Sequence, residues 1–247
     1  MTRRIVGISL KMYFGHAWAT EWFAQVASRV AAHDAVTSGS VEVFVTPTFL
    51  QVPAAVAAFR DTPVRVGGQD VAAEAEGAFT GEVSAYELAE VGARLAEIGH
   101  AERRRLFAET DEVVARKTAV SLGAGLEPLL CIGETERQDP EDAARASVAQ
   151  LRTALAGAPE GSVIVAYEPV WAIGAPEPAG EEHVRIVAGA LREALAGRPG
   201  SAVIYGGAAG PGLLTRLGDA VDGVFLGRFA HDPDALMTVI DEAGASA

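Results

Sequence analysis

Cysteine is almost missing from this chain: among 247 residues Cys131 is the only one. No disulfide can form within the chain, which is what a reducing compartment permits, and a cytoplasmic location is expected. No apolar run approaches the ~18 residues of a membrane span, and the opening Met-Thr-Arg-Arg-Ile-Val-Gly carries no apolar segment with a cleavage site. Neither a membrane anchor nor a signal peptide is expected. Lysine is also scarce, since Lys11 and Lys117 are the only two among 20 basic residues. Arginine serves nearly everywhere else. Lys11 therefore reads as a place where a compact ammonium is wanted, whereas Lys117 reads as a solvated helix position. A net charge of −13 opposes a general basic surface, so nucleic acid is not an expected partner. Absent too are Gly-x-Gly-x-x-Gly after a strand, a P-loop and Gly-x-Ser-x-Gly. The five histidines, His16, His33, His100, His183 and His231, have no zinc-ligand spacing. No metal and no cofactor are expected.

What is present is a rhythm of short apolar runs and amphipathic stretches. Strands are expected at Ile5–Ser9, Val41–Val45, Val64–Gln69, Leu95–Gly99, Glu127–Ile132, Val163–Tyr167, Val203–Tyr205 and Gly223–Leu226. Helices are expected between them: Thr20–Ala32 with Trp22, Phe23, Val26 and Val30 on one face, then Val52–Phe59, Ser84–Glu90, a helix capped near Thr110, and one opening at Asp139-Pro140-Glu141-Asp142. Glu181–Ala196, a short helix from Pro211 and one from Asp232-Pro233 complete the series. Eight strand-helix pairs imply parallel pairing, and the length matches the ~250 residues of a (β/α)8 barrel, an α/β fold closed into one domain over 1–247. No linker or internal repeat divides the chain.

In such a barrel the functional groups gather where strands end. Lys11 follows the first strand, His100 the fourth and Glu168 the sixth. A carboxylate base, an imidazole proton donor and a fixed cation suit proton transfer beside a carbonyl. Pro169 keeps Glu168 near-extended and so aims its carboxylate. Val170 to Gly174 reads as a lid with a glycine hinge. Gly206-Gly207 after the seventh strand and Gly227 after the eighth occupy the position where barrels bind phosphate through backbone N–H groups at a helix start. The run Arg103-Arg104-Arg105 reads as a solvated or ion-paired helix start.

Six segments together resemble the triosephosphate isomerase family: Ser9-Leu10-Lys11-Met12, Gly77-Ala78-Phe79-Thr80-Gly81-Glu82, Gly99-His100-Ala101-Glu102-Arg103, Cys131-Ile132-Gly133-Glu134, Ala166 to Gly174, and Tyr205-Gly206-Gly207. The resemblance implies Glu168 as the base, His100 as the electrophile and Lys11 as the cation, with Glu102 in support. That family is itself the standard example of a carboxylate base paired with a neutral histidine under a closing lid, so these roles are inherited from it. It also implies a phosphorylated sugar substrate and a homodimer formed through the loop 69–82.

The departures surround the substrate position. Ser9 stands where the family has asparagine, and Ala175-Pro176-Glu177 where the lid tip is Thr-Gly-Lys. Ala208 replaces a serine after the paired glycines, and Arg228 replaces the second glycine after the eighth strand. With Gly174, Gly206, Gly207 and Gly227, these positions form the expected substrate and phosphate site. Serine in place of that asparagine resembles the branch of the family that isomerises erythrulose phosphate. The implied reaction interconverts L-erythrulose 1-phosphate and D-erythrose 4-phosphate through an enediol(ate). The alternatives are interconversion of dihydroxyacetone phosphate and glyceraldehyde 3-phosphate, and a sugar-phosphate-binding barrel without catalysis.

Overall fold

A computed structural model describes residues 3–247. Eight parallel strands close into a barrel in sequence order: β1 (Arg4–Ser9), β2 (Val41–Thr46), β3 (Arg65–Gly68), β4 (Leu95–Ile98), β5 (Glu127–Ile132), β6 (Ile164–Tyr167), β7 (Ala202–Tyr205) and β8 (Gly223–Leu226). The register that closes the ring pairs Ile5 with Gly223 and Ile8 with Leu226. All eight strands lie where the apolar runs place them, to within two residues at any end.

The alternation of each strand separates two apolar layers. Ile5, Phe44, Leu95, Leu129, Ile164, Ile204 and Phe225 fill the barrel interior, while Val6, Ile8, Val43, Val45, Ile98, Leu130, Val165 and Val203 face the helices. The helix His16–Val30 returns Trp22, Phe23, Val26 and Val30 to the outer layer, as its periodicity requires. It begins four residues before the expected Thr20, because Gly15 precedes it without a side-chain cap to mark the start. Elsewhere the caps are explicit: Asp139 accepts from the N–H of Glu141 at 3.0 Å and Asp232 from that of Asp234 at 2.9 Å. Among the described residues no helix is long and apolar enough to cross a membrane.

The run Arg103 to Arg105 is the ion-paired helix start expected, Arg103 meeting Asp70 and Glu109 and Arg104 meeting Asp111, though its helix, Ala101–Phe107, is separate from the one capped by Thr110, Asp111–Gly123. Lys117 differs from the sequence expectation: it is buried rather than solvated, at 4% exposure. Its ammonium lies 2.6 Å from Asp70 Oδ1 and 2.6 Å from Glu109 Oε1, and Arg103 Nε reaches the same two side chains at 2.7 and 2.6 Å. Helix periodicity could not reveal this, since both carboxylates arrive from other segments. The cluster ties the root of the loop 69–82 to the helix that follows His100.

Candidate active site

Towards the C-terminal ends of the strands the barrel interior changes from apolar to polar, and there a cavity of about 1040 Å³ opens. Its lining brings together Ser9, Lys11, His100, Glu102, Glu168, Gly174, Gly206, Gly207, Ala208, Gly227 and Arg228, every site residue expected from the sequence.

Glu168 is placed by backbone pairing that continues past β6: its N–H donates to Ile132 O at 2.7 Å and the Val170 N–H to Glu134 O at 2.9 Å. The side chain packs against Gly206, where an added Cβ would sit 2.6 Å from Glu168 Cγ, so only glycine leaves the carboxylate its position. Glu168 is buried, and its Oε2 has no hydrogen-bond partner among the described residues. Burial first, then the neighbouring Glu97 carboxyl, pushes its pKa up to about 8. A carboxylate so poorly solvated is a stronger base than one in water.

His100 Nε2 stands 3.8 Å from Glu168 Oε2. His100 caps the helix Ala101–Phe107, its Nδ1 accepting from the Glu102 N–H at 3.1 Å. A ring whose Nδ1 accepts must carry its proton on Nε2 when neutral, so the imidazole offers an N–H to the cavity. Burial first, then the Lys11 charge, lowers its pKa to about 4, which keeps it neutral at physiological pH. The residues alone left the charge of this donor open and the resemblance implied the neutral form, which the accepting Nδ1 and the burial both favour.

Lys11 lies in the left-handed region at φ 47°, a conformation that costs a non-glycine residue energy and is often met at functional sites. Its ammonium donates to Glu102 Oε1 at 2.8 Å. Burial disfavours the charge, but Glu102 outweighs that and raises the pKa. Glu102 thus orients two groups at once, the cation through its carboxylate and the imidazole through its backbone.

The anion-binding part of the expectation needs one correction. The short helix runs over Leu213–Leu217, later than the expected Pro211, and the N–H groups of Gly212 and Thr215 at its start are held by the Glu242 carboxylate at 2.6 and 2.7 Å. They are not free for an anion. The N–H groups of Gly207, Ala208 and Gly210 donate to no other group among the described residues and line the cavity instead. Arg228 opens the turn Arg228–His231 at the cavity mouth and is exposed.

Val170, Ile173, Gly174 and Ala175 cover one side of the cavity, with Gly174 at φ 73°. The lid is anchored at both ends. Trp171 Nε1 donates to Glu134 Oε1 at 2.8 Å, and the Ala179 N–H donates to the Tyr205 hydroxyl at 2.9 Å. His183 Nε2 joins the first anchor, 3.0 Å from Glu134 Oε1 and 2.9 Å from the Tyr167 hydroxyl.

The sequence reading missed Glu97. It is the third residue of β4, 3% exposed, with Oε2 accepting from Thr46 Oγ1 at 2.7 Å. The available signal was a carboxylate inside a strand only four residues long.

The chain matches the family model described as triosephosphate isomerase over residues 4–243. It is 47% identical to an L-erythrulose-1-phosphate isomerase of Pectobacterium atrosepticum, covering 96% of this chain and 95% of that one. A second protein of that name, from Rhizobium etli, is 37% identical over 89% of this chain and 86% of its own. The triosephosphate isomerase of Thermus thermophilus is 36% identical over 99% and 100% of the two chains.

Proposed function

The chain belongs to the triosephosphate isomerase family and is an isomerase, and within that family we propose that its substrate is the four-carbon ketose L-erythrulose 1-phosphate. The observation that carries the choice is Ser9. It is 2% exposed at the floor of the cavity, and its Oγ, like Glu168 Oε2, has no partner among the described residues. A larger asparagine there would occupy room that a fourth carbon needs. The 47% identity to an L-erythrulose-1-phosphate isomerase supports the same reading.

The chemistry follows from the arrangement. L-erythrulose 1-phosphate has its carbonyl at C2, next to the carbon that bears the phosphate, as dihydroxyacetone phosphate does. Its C3 differs from the reacting carbon of the triose by a hydroxymethyl group in place of one hydrogen. Glu168 takes the C3 proton, the His100 Nε2–H donates to the C2 oxygen as charge develops, and an enediolate forms across C2–C3. The hydroxyl proton on O3 passes to O2 by way of His100 Nε2, and return of the carbon-bound proton to C2 then leaves the carbonyl at C3, which gives the isomeric tetrulose 4-phosphate. D-erythrose 4-phosphate, the product expected from the resemblance, lies one further transfer away, from C4 to C3, so a single enediolate corrects that expectation to the tetrulose 4-phosphate. Lys11 neutralises charge on the substrate oxygens, and the N–H groups of Gly207, Ala208 and Gly210 with Arg228 hold the phosphate. Closure of the lid over the ligand excludes water from the enediolate.

A homodimer completes the reading. The loop tip 75–82 is exposed and carries Phe79, while Met12, Tyr13 and Leu50 are exposed in the loops that follow β1 and β2, which with β3 are consecutive in the barrel. Apolar side chains gathered on loops of three adjacent strands fit a second copy of the same chain. The single buried cysteine and the acidic surface fit a cytoplasmic enzyme. The test of the substrate is kcat/KM for L-erythrulose 1-phosphate and for dihydroxyacetone phosphate with one enzyme preparation. The four-carbon ketose is expected to give the higher value, and a preference for the triose would return the site to triosephosphate isomerisation.

A further inference from the structure

Five carboxyl side chains are buried among the described residues: Asp70, Glu97, Glu109, Glu134 and Glu168. Asp70 and Glu109 share Lys117 and Arg103, and Glu134 collects donors from Tyr167, Trp171 and His183. Glu168 is the group proposed to take the substrate proton. Glu97 has neither a cation in contact nor a part in the chemistry, and where Glu134 has three donors it has one aligned donor, the Thr46 hydroxyl. Burying a carboxyl in a barrel interior with so little compensation is costly, and an apolar residue would pack there without that cost. Such an expense within a functional site points to a use.

The geometry indicates what the use is. Leu95 faces the barrel interior while Ala96 and Ile98 face the helices, so Glu97 projects inward between them. Its Oε2 holds the Thr46 hydroxyl at 2.7 Å, and Thr46 is the residue directly opposite Ser9 in the β1–β2 register. The Ser9 hydroxyl lies within reach of the same carboxyl, yet in no aligned hydrogen bond. Ser9 lines the cavity; Glu97 lies beneath it and does not. Burial pushes the Glu97 pKa up to about 7; above that pH the carboxylate can only accept, so when the Ser9 O–H turns to Glu97 the serine oxygen is left with its lone pairs towards the ligand.

We infer that Glu97 is a positioning residue that sets the substrate preference: by accepting the Ser9 hydroxyl proton, it makes Ser9 Oγ the acceptor for the hydroxymethyl O–H on the reacting carbon. The inference rests on the four-carbon reading of the site. A three-carbon ketose bears no such hydroxyl and leaves the prepared acceptor unpaired, which is how a site comes to reject a shorter analogue. The pairing also accounts for Ser9 and Glu97 together, since a long acidic side chain from β4 can approach the floor only where the residue on β1 is small.

The test compares kcat/KM for both substrates in wild type, Glu97→Gln, Glu97→Leu and Ser9→Ala. Glutamine keeps the volume and the Thr46 contact, but its amide can donate to Ser9 and turn the serine proton towards the cavity. Both Glu97 variants are expected to lower the ratio of four-carbon to three-carbon kcat/KM by about tenfold or more, with both substrates measured on the alkaline plateau where Glu168 is ionised in every variant. Because Glu97 acts through Ser9, Ser9→Ala with Glu97→Leu should cost no more than the worse single change. Equal losses for both substrates, or additive losses in the double variant, would reduce Glu97 to a structural role and overturn the inference. If the wild type prefers the four-carbon ketose and Glu97→Gln keeps its ratio, this inference alone fails. If the wild type prefers the triose, the reading beneath it fails and takes the inference with it.

Discussion

Gly206→Ala is the smallest change that probes the placement of the base. Gly206 does not adopt a left-handed φ, so alanine meets no backbone strain, and its N–H remains bonded to Tyr167 O at 2.8 Å. The new methyl would lie 2.6 Å from Glu168 Cγ, 2.9 Å from Oε1 and 3.1 Å from Cδ. Carbon atoms rest at about 3.5–4.0 Å, so one of the two must retreat by about 1 Å. The backbone at 206 is held by its strand bond, and the side chain of Glu168 is the part that can yield. Displacing a base by about 1 Å costs on the order of 100-fold in rate, or about 2.7 kcal/mol of transition-state stabilisation. Initial-rate measurements should therefore show kcat down by about that factor, with the thermal unfolding midpoint close to that of the wild type. A variant that folds normally and turns over within about threefold of wild type would refute the claim that the Glu168 position limits the reaction.

Further outcomes follow from the same geometry. With its pKa raised from 4.5 to about 8, Glu168 becomes available as a base only as pH climbs through that value, so kcat/KM should rise across this interval while His100, at about 4, stays neutral. Glu97→Gln removes a neighbouring negative charge and should move the midpoint of the rise downward; an unchanged midpoint would separate the two carboxyls. The same shift means that the native state holds the proton more tightly than the unfolded chain, so stability should fall as pH rises from 4.5 to about 8, measurable as a declining urea midpoint. Lys11→Met should weaken binding of a phosphorylated carboxylate mimic of the enediolate by roughly 1.5–3 kcal/mol in calorimetry, and unchanged affinity would remove Lys11 from the anion site. Lys117→Met leaves Asp70 and Glu109 with Arg103 as their only cation, and should cost about 3–5 kcal/mol in urea unfolding. A loss under about 1 kcal/mol would mean that the cluster behaves like an exposed pair.

The barrel was legible because each strand is bounded by turn residues and followed by a helical stripe, and those local signals agree with the closed topology. That Glu168, His100 and Lys11 share one cavity was legible for a related reason: all three stand at strand ends, which the barrel turns into the cavity lining. Lys117 and Glu97 were not. The surroundings of Lys117 come from Asp70 and Glu109, which the periodicity of its own helix does not contain. Glu97 sits in a strand too short for its alternation to show which face is inward, and its partner Thr46 lies on another strand, beyond any local pattern. The phosphate side was legible only as a place. Its glycines line the cavity as expected, but the helix start behind them is occupied by Glu242, a residue from the last helix, Pro233–Ala245.

The account depends most on Glu168 moving a proton between adjacent carbons through an enediolate. Running the isomerisation of L-erythrulose 1-phosphate in heavy water and following the product by NMR tests this directly. A proton held on the Glu168 carboxyl while the enediolate is bound can exchange with solvent before it returns to carbon, so deuterium should appear in part of the product at the carbon that gains the proton, and should not appear with Glu168→Ala. A product formed by Glu168→Ala near the wild-type rate, with deuterium still entering at that carbon, would mean that another group moves the proton, and would contradict the role given to Glu168.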